Sequence, residues 1–356
     1  MRGTGRRIRA RRNGRVGGST GPRAAGSTGL TVLALLMGAC GATNAGDAGG
    51  AGDADGSAEE SFSIGIAQPV AHPSLDATRE GFKEAFEEAG VEVDWEEQNA
   101  QGDASTEATI AAQLAGGGHD LIATIATSQS QQVATATQGG DTPVLFMVIT
   151  DPEAAGLVDS WEEPGGHMTG TSDLNPVDDQ LELITRVDPS VETVGILYAS
   201  GETNSQVQVD LAEEAAEELG LDLRTATVTN SAEVQQGVES LDGVDALWIP
   251  TDNVVVSALE SVVQFSQQRQ IPLFSADADS VERGAVATYG VDHHAIGRQS
   301  GQMALRILLD GEDPAVMPVE TAEDHELHVN PEAAESMGLE IPAEILESAG
   351  VVVGEG

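Results

Sequence analysis

Short apolar runs, rich in β-branched residues, recur along the chain between segments of helical period. They begin near residues 62, 91, 120 and 143, and then near 193, 221, 245 and 272. Within each set the starts lie 23 to 29 residues apart, which is the length of one strand plus one crossover helix. Because the runs do not alternate with polar residues, they predict parallel strands that are buried on both faces of a sheet.

The segments between these runs predict amphipathic helices, each ending at a glycine. Phe82 and Phe86 fall on one face of the first segment, and Leu211 and Leu219 share a face of the corresponding segment in the second half. Both halves therefore read β-α-β-α-β-α-β. This repeat predicts an α/β fold of two doubly wound, Rossmann-like lobes that are joined by a hinge.

The last 65 residues indicate how the chain passes between the lobes. A helical pattern over 292–309 is expected to return to the first lobe, after a first crossing near 170–176, and the later apolar runs are expected to return to the second. Three crossings would form the hinge. These expectations assign 61–172 and 291–316 to an N-terminal lobe, and 173–290 and 317–350 to a C-terminal lobe.

The first 60 residues have a different composition. Residues 1–28 contain eight arginines and no acid, and an apolar run over 30–37 precedes Gly38-Ala39-Cys40. This order is typical of a secretory signal, and the run is shorter than the ~20 residues that a membrane span requires. Cys40, the single cysteine, resembles the lipidated residue of a bacterial lipobox; ordinary cleavage beside an unpaired cysteine is the alternative. We predict a signal peptide over 1–40, a flexible tether over 41–60, and an extracytoplasmic protein anchored to the cell membrane.

The charge of the chain excludes one class of partner. The sequence has 16 basic and 59 acidic residues, for a net charge of −43. Nucleic-acid binding depends on clustered lysine and arginine, so no nucleic-acid partner is expected. The acids are dispersed along helix faces, which favours a solvated surface, as in a salty habitat, over a cation-binding function.

Catalytic signatures are absent from the sequence. There is no G-x-S-x-G motif, no P-loop and no G-x-G-x-x-G after the first strand, and the single cysteine lies in the leader. No set of histidines and acids has metal-ligand spacing. We therefore expect no enzyme activity, no cofactor and no metal site.

Small polar residues follow the predicted strands, at the edge where ligands bind in open parallel sheets. The candidate ligand-binding residues are Gln68, His72, Thr127, Ser128, Gln129, Thr150, Asp151, Asn204, Ser205, Thr251, Asp252, Asn253 and Asp277.

Their chemistry suits a zwitterion. Thr127 and Ser128 begin a predicted helix, where free N–H groups and the helix dipole favour a carboxylate, while Asp252 or Asp277 would accept hydrogen bonds from an ammonium group. Each of these residues is also of a type that caps helices. Their recurrence at equivalent places in both halves favours the ligand-binding interpretation. His72 either contacts the ligand or shapes its loop.

Several segments resemble a known family. They are His72-Pro73-x-Leu75-Asp76 before Gly81-Phe82, Thr150-Asp151-Pro152 with Ala155-Gly156-Leu157-Val158, Asn204-Ser205, Pro250-Thr251-Asp252-Asn253, Gly290-Val291-Asp292, and Gly297, Gly301 and Met303-Ala304. From about residue 61 to 346 the chain resembles substrate-binding proteins of ABC transporters of the tryptophan/tyrosine-type group, which have a type I periplasmic-binding fold.

The resemblance implies a two-lobed receptor that closes on its ligand and delivers it to ABC permease and ATPase subunits. It implies an amino acid as ligand, aromatic or otherwise apolar, and a cleft lined by Thr127, Ser128, Asp151, Asn204, Thr251, Asp252 and Asp277. We expect a monomer. A binding protein that feeds a membrane sensor has the same fold and is the first alternative; a lipid-anchored hydrolase is the second.

Overall fold

The computed structural model of the protein describes residues 61–322 and 325–354. The predicted signal peptide (1–40), the lipidation site Cys40 and the predicted tether (41–60) lie outside the described residues. Within the described part of the chain, no helix is both long enough and apolar enough to cross a membrane.

The first lobe is built on a parallel six-stranded sheet with the order β11-β5-β4-β3-β1-β2. Its strands are β1 (Ser61–Gln68), β2 (Glu92–Asn99), β3 (Leu121–Ile125), β4 (Val144–Met147), β5 (Met168–Ser172) and β11 (Glu320–Thr321). Its helices are α1 (Pro73–Ala89), α2 (Ala104–Gly117), α3 (Thr127–Ala136) and α10 (His293–Leu305), which is followed by a π-helical turn over Arg306–Asp310.

The second lobe is built on a parallel four-stranded sheet with the order β7-β6-β8-β9 and a small sheet with the order β10-β12-β13. Its strands are β6 (Thr193–Ala199), β7 (Asp222–Val228), β8 (Ala246–Ile249), β9 (Leu273–Ser275), β10 (Ala287–Gly290), β12 (Glu326–Val329) and β13 (Val351–Val352). Its helices are α4 (Val177–Val187), α5 (Thr203–Leu219), α6 (Val234–Glu239), α7 (Asn253–Val256), α8 (Leu259–Arg269), α9 (Ala278–Glu282), α11 (Pro331–Ser336) and α12 (Ala343–Ser348).

The apolar runs form strands because both faces of each sheet are covered by helices. In β3, Leu121 and Ile125 belong to one hydrophobic cluster, whereas Ile122 between them belongs to another on the opposite face. A strand buried on both sides has no solvent-facing position that selects for polar residues. All eight predicted strands are observed, and each begins within one residue of its predicted start.

One strand was not predicted, and two details of the predicted architecture are wrong. The unpredicted strand is β5, which ends at Ser172, inside the range 170–176 given for the first crossing. Strand β11 pairs in parallel with β5, so residues 320–321 remain in the first lobe and the chain crosses back only before Glu326. In α5 the buried apolar face is formed by Val209, Ala212 and Ala216, while Leu219 is 38% exposed.

Helices α1 and α10 approach each other closely through glycines. A Cβ atom on Gly81 would lie 2.1 Å from the carbonyl oxygen of His294, and one on Gly297 would lie 2.0 Å from that of Thr78. Both helices begin at the cleft between the lobes, at Pro73 and His293. The glycine contact therefore sets the spacing of two helix N-termini that contribute side chains to the site.

Candidate functional site

A cavity with an empty volume of about 460 Å³ lies between the two lobes. It is lined by His72, Ser74, Leu75, Ala126, Thr127, Val148, Thr150, Asp173, Asn204, Thr251, Asp252, Asn253, Val256, Asp277 and His293. These residues come from loops at the carboxyl ends of strands in both lobes, as ligand sites in open α/β sheets do.

Eight of the thirteen candidate residues line this cavity, namely His72, Thr127, Thr150, Asn204, Thr251, Asp252, Asn253 and Asp277. The other five, Gln68, Ser128, Gln129, Asp151 and Ser205, do not. Those five make contacts within their own lobe instead.

Gln68 and Asp151 organise loops of the first lobe. The amide nitrogen of Gln68 donates to Asp76 at 3.1 Å, and its oxygen accepts from Arg79 at 2.9 Å, so neither end of the amide is free. One carboxylate oxygen of Asp151 accepts from the backbone N–H of Ala154 at 3.0 Å. Asp151 is therefore a turn residue, as its type alone would suggest.

The remaining three residues are directed into the protein. Gln129 is fully buried and donates to the backbone carbonyl of Glu107 at 3.3 Å. Burial raises the pKa of Glu107, and a hydrogen bond from the Ser128 hydroxyl opposes this effect. Ser205 donates to Asp252 at 2.6 Å beneath the cavity wall. Ser205 therefore supports a lining residue and does not line the cavity itself.

Seven lining residues were not predicted: Ser74, Leu75, Ala126, Val148, Asp173, Val256 and His293. The apolar members have no sequence signal that separates them from core residues. Asp173 does have a sequence signal, because it is a polar residue that directly follows a strand. That strand, β5, was not predicted. His293 opens α10 at the second crossing.

The N-terminus of α3 opens into the cavity without a side-chain cap. Ala126 takes the capping position with φ 67°, an unusual value for a residue with a Cβ atom, and it cannot accept from the N–H groups of the first turn. Ala126 and Thr127 both line the cavity. Free N–H groups and the helix dipole at this point favour a bound anion.

Asp252 and Asp277 both cap helices, which is the alternative to ligand binding that their residue type allowed. The carboxylate of Asp252 accepts from the N–H groups of Ala199 at 2.6 Å and Val255 at 2.8 Å, in addition to Ser205. The carboxylate of Asp277 accepts from the N–H and the hydroxyl of Ser280, at 2.8 and 2.6 Å. Their oxygens face the cavity already engaged with donors of the second lobe.

Asn204 presents an acceptor whose orientation is fixed by its neighbours. Its amide nitrogen donates to Glu202 at 2.9 Å and to the carbonyl of Thr251 at 2.7 Å. Both of those atoms are acceptors, so the amide cannot be reversed, and Oδ1 is buried without a partner. Glu202 also accepts from the N–H and the side chain of Asn253. Burial, followed by the charge of Asp252, raises the pKa of Glu202 to about 7.

Asp173 and His293 lie on two of the three segments that join the lobes, and their side chains face each other. Asp173 Oδ2 lies 4.0 Å from His293 Nε2, and Thr150 Oγ1 donates to Asp173 Oδ1 at the long distance of 3.5 Å. Burial raises the pKa of Asp173 and lowers that of His293, and in each case the partner's charge opposes the shift.

His72 connects the first lobe to Arg283 of the second. Arg283 Nη1 donates to His72 Nε2 at 3.1 Å, and burial lowers the pKa of His72, which keeps this nitrogen available as an acceptor. The ligand atoms of His72, Asp277 and Asp279 lie within 4.8 Å of one another, a grouping that the sequence did not indicate. Because the guanidinium already occupies His72, we assign no metal to these three groups. Burial raises the pKa of Asp279 to about 6.

The comparisons with known proteins agree with this architecture. The profile of the family described as "ABC transporter substrate binding protein" matches residues 63–353. A tyrosine-binding protein from Clostridioides difficile is 33% identical over 283 residues, which cover 78% of this chain and 81% of that protein.

Two solved structures differ in how well they superpose. A Streptococcus pneumoniae protein in complex with L-Trp is 37% identical, with a TM-score of 0.79 and coverage of 83% and 100%. A ligand-free, open substrate-binding protein from Clostridium difficile is 40% identical, yet its TM-score is 0.63, with coverage of 82% and 99%. Because the more identical chain superposes less well, the lobes described above are arranged more as in the tryptophan complex. The chain belongs to the family of ABC transporter substrate-binding proteins.

Proposed function

We propose that this protein captures an amino acid as a zwitterion in the cavity between its lobes and delivers it, unaltered, to the permease and ATPase subunits of an ABC importer. One observation carries the proposal. A single cavity has an uncapped helix N-terminus on the first lobe, at Ala126, and a buried acceptor without a partner on the second lobe, at Asn204. The first suits a carboxylate and the second suits an ammonium group.

An aromatic or large aliphatic side chain suits the rest of the cavity. Its apolar lining consists of Leu75, Ala126, Val148 and Val256. No phenylalanine, tyrosine or tryptophan is among the described residues that line the cavity, so the groups available to a ligand ring are aliphatic side chains and the imidazoles of His72 and His293. The tyrosine-binding relative and the L-Trp complex support the aromatic choice.

Capture follows from contacts to both lobes. A ligand that bonds to α3 in the first lobe and to Asn204 in the second interacts fully only when the lobes are closed. It therefore shifts the population toward the closed form by its differential affinity for the two forms.

We further propose that the receptor acts outside the cytoplasm and is anchored through lipid on Cys40. The support is the order of basic, apolar and small residues before the single cysteine. Cys40→Ser is expected to release the protein from membranes into the soluble fraction. A variant that stays with the membranes after carbonate washing would exclude the lipid anchor and leave the ligand proposal untouched.

The ligand proposal is tested by thermal shift on the chain lacking residues 1–40, in high salt, against the L-amino acids. A ligand that binds only the folded state raises the melting temperature by mass action. L-Tyrosine or L-tryptophan should give the largest increase. Asn204→Ala should abolish the increase, whereas Gln206→Ala, an exposed change two residues along the same helix, should retain it. Stabilisation by sugars or purines alone would overturn the proposal.

A further inference from the structure

Two of the three segments that lead from one lobe to the other place a titratable side chain in the cavity. Asp173 directly follows β5, where the chain leaves the first lobe, and His293 opens α10, where the chain returns. Both side chains are buried, with 4% and 7% of their surface exposed. Neither has a role in capping a helix, in contrast to the aspartates of the second lobe.

The three aspartates that line the cavity differ in how fully their carboxylates are bonded. Asp252 accepts three hydrogen bonds of 2.6 to 2.8 Å, and Asp277 accepts two of 2.6 and 2.8 Å. Asp173 has a backbone donor in its own N–H and one side-chain donor, the Thr150 hydroxyl, at 3.5 Å. At that distance a hydrogen bond contributes little. Asp173 is therefore the carboxylate with the greatest unused capacity to accept.

The charge of Asp173 also has little compensation from cationic groups. Within the described residues, its one basic neighbour inside 4.0 Å is His293, at 4.0 Å. Burial lowers the pKa of His293 and so favours its neutral form, while Asp277 adds a second negative charge nearby. A buried carboxylate without a cationic partner is costly, and that cost is relieved when a cation binds beside it.

Given an amino acid as the ligand, we propose that Asp173 is the anionic partner of the ligand's α-ammonium group, and that Asp252 and Asp277 serve the fold of the second lobe. The ammonium group then lies where the chain crosses between the lobes, while the carboxylate lies at the N-terminus of α3. This arrangement selects α-amino acids over uncharged or purely anionic molecules that share the same side chain.

The test compares ligands with and without the amino group, by isothermal titration calorimetry at neutral pH. The probes are L-tyrosine with hydroxyphenylpropionate, and L-tryptophan with indolepropionate. Loss of one partner of a buried charge pair weakens binding about 100-fold. For Asp173→Asn we expect this loss for the amino acid and less than about a threefold change for its deamino analogue. Asp178→Asn, an exposed aspartate five residues further on, removes the same charge and should match the wild type.

The outcomes separate the two proposals. If neither amino acid binds the wild-type protein, the proposed function itself fails. If the wild type prefers the amino acid and Asp173→Asn keeps that preference, while Asp252→Asn or Asp277→Asn loses it, the assignment to Asp173 is wrong and the function stands.

A measurement on the wild-type protein covers the case in which Asp173→Asn does not fold. Because burial raises the pKa of Asp173 in the empty site, an ammonium group that pairs with it should displace a proton as pH falls toward that pKa. Calorimetry in two buffers of different ionisation enthalpy should show proton release with the amino acid and none with the deamino analogue. Equal proton release for both ligands would contradict the assignment.

Discussion

The crossing of α1 and α10 makes Gly297 a position where one methyl group should lower stability. A Cβ atom there would lie 2.0 Å from the carbonyl oxygen of Thr78 and 2.7 Å from its carbonyl carbon. Contacts below 3.0 Å are essentially never made by Cβ atoms, so Gly297→Ala must move the helices apart by about 1 Å. A gap of that size forfeits a quarter to a half of each van der Waals contact it opens.

The magnitude follows from two opposing effects. Overpacking costs about 1–3 kcal/mol, and the upper value applies because the obstacle is a backbone carbonyl that cannot rotate away. Alanine is favoured over glycine inside a helix by about 1 kcal/mol. The free energy of unfolding should therefore fall by about 2 kcal/mol, and the melting temperature by about 4 °C.

Urea denaturation in high salt measures this change, with Gly116→Ala as the matched control. Gly116 lies in α2, and a Cβ atom there would have no neighbour within 4 Å. The control should therefore raise the free energy of unfolding by about 0.5–1 kcal/mol through helix propensity alone. Equal stabilisation by the two substitutions would refute the close-packing argument. Gly297→Ala should also weaken ligand binding, because α10 carries His293 into the cavity.

Two further predictions concern single side chains. Burial holds the folded-state pKa of Glu202 at about 7, above its usual 4.5, so the free energy of unfolding should fall as pH rises through that window. Glu202→Gln should remove this part of the pH dependence, as urea denaturation at about pH 5 and 8 would reveal. Arg283→Met removes an interlobe hydrogen bond to His72, and because that bond forms when the lobes close, affinity for L-tyrosine should fall about three- to tenfold. Calorimetry that finds unchanged affinity would show that this bond does not stabilise closure.

The sequence predicted the eight strands of the two repeated sets, which carry large apolar residues, and missed β5, whose central residues are small or polar. Strand β5 contains Thr169, Gly170 and Thr171, which resemble a loop. The structure explains their character: Thr169 donates to a backbone carbonyl, Thr171 bonds to Ser300, and a Cβ atom on Gly170 would lie 1.8 Å from the carbonyl oxygen of Phe146. Each residue is specified by a partner that is distant in the chain, and local pattern carries no information about such partners.

The candidate site was predicted in location better than in role. The loops that follow β1, β3, β4, β6, β8 and β9 do meet at one cavity, because the carboxyl ends of parallel strands share an edge. Residue type could not separate caps from ligand contacts, since aspartate suits both. Asp252 and Asp277 proved to be bonded within their own lobe. Asp173 was overlooked because its strand was not recognised. Of the three aspartates that line the cavity, it is the one with the weakest hydrogen bonds.

Without a ligand, the hydrogen bonds that join the two lobes are few and weak. Among the described residues, those that cross the cleft are Arg283–His72 at 3.1 Å, Gln131–Thr203 at 3.5 Å and Gln208–Thr150 at 3.5 Å, while Thr150–Asp173 lies at the hinge. Two of the three are at the limit of hydrogen bonding, where the contribution is small.

Between these contacts lie the groups that still lack partners: the first turn of α3, Asn204 Oδ1 and Asp173. A molecule that satisfies groups of only one lobe binds the open and closed forms alike, and such a molecule shifts no population however tightly it binds. Closure therefore requires a ligand with an anionic and a cationic end that both engage at once. Deamino and decarboxylated analogues of an amino acid should bind to one lobe and leave the receptor open. Lobe closure, and not the first binding step, is therefore what requires both charged groups of the ligand.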